Sequence, residues 1–104
     1  NILESLKINY DITWKSAGEP FITKEGILSK AVIDSIKEET SIIAKPSTSG
    51  GTSDGRFVAP YGVDVVEFGP INETIHKVNE CIEITDISKL ENIYYSISKK
   101  ILAD

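Results

Sequence analysis

Two clusters in this 104-residue chain have residue types and spacing that could do chemistry. The first is Gly50-Gly51-Thr52-Ser53-Asp54-Gly55. Glycine removes the Cβ, so such a loop can bring backbone N–H groups against an anion such as a carboxylate. The same residues also suit a plain strand-to-helix turn, with Ser53 or Asp54 capping a short helix through Arg56, Phe57 and Val58. No Gly-Lys-Ser/Thr follows, which excludes a nucleotide-binding phosphate loop. The second cluster surrounds His76, the sole histidine, with Asn72, Glu73 and Glu80 close in sequence. A metal site needs about three or four donors, and nothing local forms a whole one. Glu73 and Glu80 suit instead the task of orienting the imidazole. The competing reading makes His76 an ordinary hydrogen-bonded structural residue. Cys81, the only cysteine, reads as a small buried hydrophobe rather than a nucleophile.

The elements that must position these residues follow from periodicity. Residues 63–68 form an apolar run between the two clusters and read as a strand buried on both faces. Both flanking loops would then sit near one end of a sheet, where α/β proteins place their ligands. Residues 7–15 alternate, with Ile8, Tyr10, Ile12 and Trp14 on one side, which predicts a half-buried antiparallel strand. Ile2, Leu3 and Leu6 before it suit the last turns of a helix. Gly18 and Pro20 break the pattern and mark a connector.

Thr23 can cap a helix over residues 24–39, with Glu25 in the first turn and Ile27, Leu28, Ala31, Val32 and Ile36 at helical spacing. Ile42-Ile43-Ala44 is a short candidate strand leading into the Gly-rich loop. Thr85, with Asp86 beside it, caps a last helix whose stripe is Ile87, Leu90, Tyr94, Ile97 and Ile101. The fold class read from this order is α/β in the C-terminal part, preceded by a strand from a different, antiparallel sheet. The two halves read as pieces of two domains.

Composition narrows the function classes. Net charge is −5, from 11 basic and 16 acidic residues, and the basic ones are scattered, which argues against nucleic acid. No apolar run reaches the roughly 18 residues that span a bilayer, and no signal peptide is visible at the start. A single cysteine allows no internal disulfide and suits a reducing cytoplasm. The chain lacks an initiator Met and opens within a helix-like pattern, so it reads as a fragment.

The string SGGTSDGRF, followed at this distance by VVEFGPINETIHKVNE, resembles the C-terminal end of the bacterial succinyl-diaminopimelate desuccinylase family. That family sits in a clan of dinuclear zinc amidohydrolases that includes acetylornithine deacetylases and aminoacylases. The resemblance extends to WKSAGEPF, which looks like the family's return from its smaller domain to its catalytic domain. It implies that residues 1–16 end the smaller antiparallel α+β domain and that residues 17–104 belong to the catalytic domain.

The resemblance also implies roles. His76 matches the last zinc ligand, Asn72 a residue that reaches substrate, and Gly51 and Thr52 the loop that receives the substrate's amino-acid end. The family's other metal ligands and its general-base glutamate have no counterpart in this chain. The implied reaction is hydrolysis of an N-succinyl amide to succinate and diaminopimelate, a lysine and cell-wall precursor, with two Zn²⁺ (or Co²⁺) per full-length subunit. A bridging water made acidic by the metals would attack the polarised amide carbonyl. The implied protein is a cytoplasmic homodimer with a small-molecule substrate and no nucleic-acid or membrane partner, and the fragment alone would be inactive. Two alternatives remain: an acetylornithine deacetylase or peptidase of the same clan, and a non-catalytic anion-binding module.

Overall fold

The computed structural model describes residues 2–51, 53–71 and 73–103. Among the described residues four helices follow one another: α1 (Ile2–Ser5), α2 (Ile27–Thr40), α3 (Gly55–Val58) and α4 (Ile84–Leu102). A 3₁₀ turn over Ala59–Tyr61 continues α3. α2 and α4 pack against each other.

α2 starts later than the periodicity of residues 24–39 predicts, because Thr23 does not cap it. The Thr23 hydroxyl donates instead to the Val65 carbonyl, tying the connector to residues 63–68. Gly26 takes the N-cap position and its N–H donates to Ser29 Oγ at 2.9 Å, so an orphan backbone donor is satisfied from within the first turn. Glu25 consequently lies outside the helix. At the other end Ser41 adopts φ 60° and its N–H returns to the Lys37 carbonyl at 2.8 Å, a left-handed stop. α4 begins after Glu83, which places Thr85 inside the helix rather than at its cap.

The core is small. Ala31, Val32 and Ile36 of α2 meet Ile93 and Ile97 of α4, with Leu28, Ala44, Val66 and Phe68 packed around them. Ser35, 1 % exposed, is the polar member of this seam and donates to Ser96 Oγ at 3.1 Å. At the solvent edge Lys100 Nζ lies 2.5 Å from Glu38 Oε2 and 2.9 Å from Ser96 Oγ, while Asn92 donates to Glu39 Oε1 at 2.9 Å. The Lys100 hydrogen bond, ahead of the opposing desolvation, holds the Glu38 carboxyl below its ordinary value of 4.5.

Residues 63–68 belong to no helix, and their side chains alternate between two sides. Val66 and Phe68 pack on the helix pair. Val65 and Glu67 face the start of α3, their atoms within 3.0 Å of where a Cβ on Gly55 would lie. The segment is less enclosed than a strand buried on both faces, since Val63 is 54 % exposed. Among the described residues none of 7–15, 42–44 or 63–68 is paired in a strand ladder. Residues 7–15 are not half-buried either: Ile8, Tyr10, Ile12 and Trp14 are all exposed, Trp14 by 89 %. Pairing needs a neighbouring backbone, and these segments run past helices and loops instead.

The radius of gyration is 18.9 Å, against about 13 Å for a compact domain of this length. Five buried aliphatic side chains cannot draw 104 residues into a globule.

Candidate functional site

The Gly-rich loop is shaped by Ser53. Its Oγ accepts the Gly55 N–H at 3.0 Å, so Ser53 provides the side-chain cap at the start of α3, while Asp54 occupies the N-cap position without a side-chain bond. The Ser53 hydroxyl donates to Glu67 Oε1, which joins the loop to residues 63–68. Gly55 has no room for a side chain: a Cβ there would lie 2.8 Å from Val65 Cγ1, 3.0 Å from Glu67 Oε1 and 3.1 Å from Phe21 Cζ. Gly50 and Gly51 are the opposite case, exposed and with nothing within 4 Å of the same position. Their backbone is open to a ligand or to another segment of protein.

Gly51 lines a cleft of about 1710 Å³ that runs between the connector, α2 and residues 65–68. Arg56 also lines it; its guanidinium stacks 4.6 Å from the Phe57 ring centroid, and its Nε is buried without a hydrogen-bond partner among the described residues. Small-molecule sites usually enclose about 300–1,000 Å³, so this open space is larger than one ligand requires.

His76 lies on a separate turn beyond residues 63–68 and does not line that cleft. The turn is braced internally. Thr74 Oγ1 donates to the Cys81 carbonyl at 2.8 Å and accepts the Cys81 N–H at 3.0 Å, closing a clasp around His76. Lys77 N–H donates to the Thr74 carbonyl at 3.0 Å and Glu80 N–H to the Lys77 carbonyl at 3.2 Å. His76 and Asn79 both adopt positive φ, 60° and 63°, a conformation that histidine and asparagine tolerate better than most residues.

The sequence pattern offered Glu80 as acceptor for the imidazole; Glu80 Oε2 instead accepts the His76 backbone N–H at 3.3 Å. It supports the turn rather than the ring. Cys81 is exposed, not the buried hydrophobe its type suggests, because its backbone is recruited to the Thr74 clasp at the surface. Tyr94 of α4 anchors the approach to this turn, its hydroxyl donating to the Phe68 carbonyl and its ring 5.8 Å from that of Phe68. Sequence reasoning missed Tyr94 in this role; its place in an otherwise aliphatic stripe was the available signal.

Thr52 and Asn72 lie outside the described residues. Among those described, no group of three or more His, Cys, Asp or Glu could hold a metal ion. His76 is exposed and offers one donor, so the residues present do not by themselves fit a metal centre.

Comparison with known proteins supplies what this geometry leaves open. Residues 5–100 match the profile of peptidase family M20/M25/M40. The chain belongs to that family. A succinyl-diaminopimelate desuccinylase of Legionella pneumophila (strain Lens) is 50 % identical over 98 residues, covering 94 % of this chain and 26 % of that protein. One from strain Corby is 50 % identical over 97 residues, or 93 % of this chain and 26 % of its own length. The protein of the same name from Shewanella piezotolerans is 49 % identical over 102 residues, which is 98 % of this chain and 27 % of that one. The chain thus spans about a quarter of the length of the curated relatives it matches. Among the described residues no helix is long and apolar enough to cross a membrane.

Proposed function

We propose that the chain is the C-terminal portion of a metal-dependent hydrolase that cleaves N-succinyl-diaminopimelate to succinate and diaminopimelate. The observation that carries this reading is 50 % identity to a succinyl-diaminopimelate desuccinylase over 94 % of the chain. Gly51, Thr52 and Asn72 contact the substrate in this reading, and His76 contributes one ligand to a site of two Zn²⁺ ions. The other ligands come from parts of the protein outside this chain, which alone is inactive. Residues 1–16 close a smaller domain that dimerises, and residues 17–104 complete the catalytic domain in the cytoplasm.

The geometry is compatible with that assignment. Residues 42–44 and 63–68 lie outside the helices with no strand partner among the described residues, as strands would whose neighbours are supplied by other segments. The cleft beside Gly51 exceeds a ligand's volume and leaves room for protein and substrate together.

The test is succinate release by the full-length enzyme from N-succinyl-diaminopimelate, run beside N-acetylornithine and an unsubstituted dipeptide. The reading requires preference for the succinyl substrate and loss of activity on chelation. Preference for N-acetylornithine or for the dipeptide assigns the chain to another branch of the family. No turnover of any of the three, together with no bound metal, leaves a binding module.

A further inference from the structure

We infer that Glu67 is a positioning residue that fixes the Gly-rich loop through Ser53 and so sets how tightly that loop receives the substrate. The tether stands on geometry alone; the substrate it serves rests on the desuccinylase reading above.

Glu67 is an exposed carboxylate in a segment whose neighbouring side chains, Val66 and Phe68, pack on the helix pair. Nothing in that packing calls for a carboxylate at this position. Its Oε1 accepts the Ser53 hydroxyl, and Ser53 Oγ in turn accepts the Gly55 N–H at 3.0 Å. A single oxygen of Ser53 therefore links residues 63–68 to the first amide of α3. The turn is closed further by the Arg56 N–H on the Ser53 carbonyl at 3.4 Å and the Phe57 N–H on the Asp54 carbonyl at 2.9 Å. The missing Cβ of Gly55 lets Glu67 Oε1 approach, since an added carbon would lie 3.0 Å from it. Gly50 and Gly51, by contrast, touch nothing on their open side. Ahead of Gly51 the loop is held, among the described residues, only within itself, by the Ser47 and Ser49 hydroxyls 2.7 Å apart, whereas the Glu67–Ser53 bond ties its far side to residues 63–68, and a charged acceptor makes that bond stronger than a neutral pair.

This arrangement predicts a particular kinetic signature. A loop that holds the substrate away from the reacting bond binds ground state and transition state alike, so loosening it raises KM and spares kcat. Glu67→Ala and Ser53→Ala in the full-length enzyme should each raise KM for N-succinyl-diaminopimelate about tenfold, with kcat within about twofold. The double variant should be no worse than Ser53→Ala alone, because that change already removes the bond that Glu67→Ala removes. Glu67→Gln keeps an acceptor oxygen and should restore KM to within about threefold of the unmodified enzyme. A residue that merely aids folding would lower the active fraction instead, reducing kcat and leaving KM in place.

Hydrogen exchange of residues 53–57, measured without substrate, reads the tether independently of activity. Exchange there should be faster in both alanine variants and near normal in Glu67→Gln. Unaltered exchange in both alanine variants overturns the tether. Faster exchange with unchanged KM overturns its role in substrate binding. If the unmodified enzyme does not hydrolyse N-succinyl-diaminopimelate, the functional reading falls and the substrate half of the inference with it, while exchange still decides the tether.

Discussion

Replacing Gly55 by alanine should loosen the Gly-rich loop, whereas the same change at Gly51 should not. The backbone at Gly55 is not in the left-handed region, so alanine is conformationally permitted and the cost is steric. The new Cβ would lie 2.8 Å from Val65 Cγ1, 3.0 Å from Glu67 Oε1 and 3.1 Å from Phe21 Cζ. Glu67 can swing aside, at the expense of its bond to Ser53. Val65 is stiff at χ1 and Phe21 is a ring, so neither yields without moving its backbone. Such overpacking costs about 1–3 kcal/mol, and the reduced freedom of the unfolded chain returns about 0.4–1 kcal/mol. The net loss, about 1–2 kcal/mol, corresponds to roughly 5- to 30-fold more frequent local opening. Gly51→Ala meets nothing within 4 Å and has no opposing steric term. Amide hydrogen exchange of residues 53–58 in the two variants measures the difference directly. Equal exchange in Gly55→Ala and the unmodified chain, or a larger effect from Gly51→Ala, would refute the packing argument.

Three further outcomes follow from the helix pair and the His76 turn. Ile93, 2 % exposed, is the most enclosed aliphatic residue of the core, and Ile93→Ala should cost about 2–5 kcal/mol in urea unfolding followed by helical circular dichroism. A change below about 1 kcal/mol would mean that α2 and α4 do not pack as described. Glu38 is held below 4.5, so its contribution to stability is fully present above that value and is lost as pH falls through the lower folded value; Glu38→Gln should flatten this part of the acid limb, and an unchanged limb would remove the Lys100 pair from the account. Zinc titration calorimetry on the 104-residue chain should show no submicromolar binding, because one imidazole without preplaced co-ligands competes poorly with water. Tight binding that His76→Ala abolishes would contradict this.

The helices were legible in the sequence to within a few residues, and the departures have local causes. α2 begins at Ile27 rather than Lys24 because the Thr23 hydroxyl is drawn to Val65, a contact 42 residues away that periodicity cannot see. In α4 the predicted stripe ran through Tyr94, yet Ile93 carries the burial. A tyrosine needs a partner for its hydroxyl, so Tyr94 sits at the edge of the seam on the Phe68 carbonyl and leaves the interior to isoleucine. The capping of α3 by Ser53 was one of two options in the sequence and is the one realised.

The site was less legible. Glu80 reached the backbone of His76 instead of its ring, and Cys81 surfaced, because the Thr74 clasp fixes the turn by main-chain contacts that side-chain types do not announce. Family likeness, not spacing, is what proposes His76 as a metal ligand. The strands could be read only as extended segments, since a ladder is a property of two backbones and a sequence pattern describes one.

Residues 63–68 explain how so small a core can still orient the two loops of the candidate site. Their even-numbered side chains, Val66 and Phe68, are seated on α2 and α4. Their odd-numbered ones, Val65 and Glu67, support the start of α3 and hence the Gly-rich loop. Tyr94 then holds the carbonyl of Phe68, the last residue before Gly69 and the turn that carries His76. Each loop is thus registered against the helix pair through one short segment. A shift of that segment by one residue would exchange its two faces, placing Glu67 against the aliphatic core and Val66 or Phe68 against Ser53. The burial cost of the carboxylate forbids that slip. Glu67 therefore acts twice: its charge keeps the segment in register, and its oxygen holds Ser53. The proposed function asks His76 and Gly51 to serve a common substrate, and it would call on both effects, because within the described residues the two loops share no cleft and are joined through the segment between them.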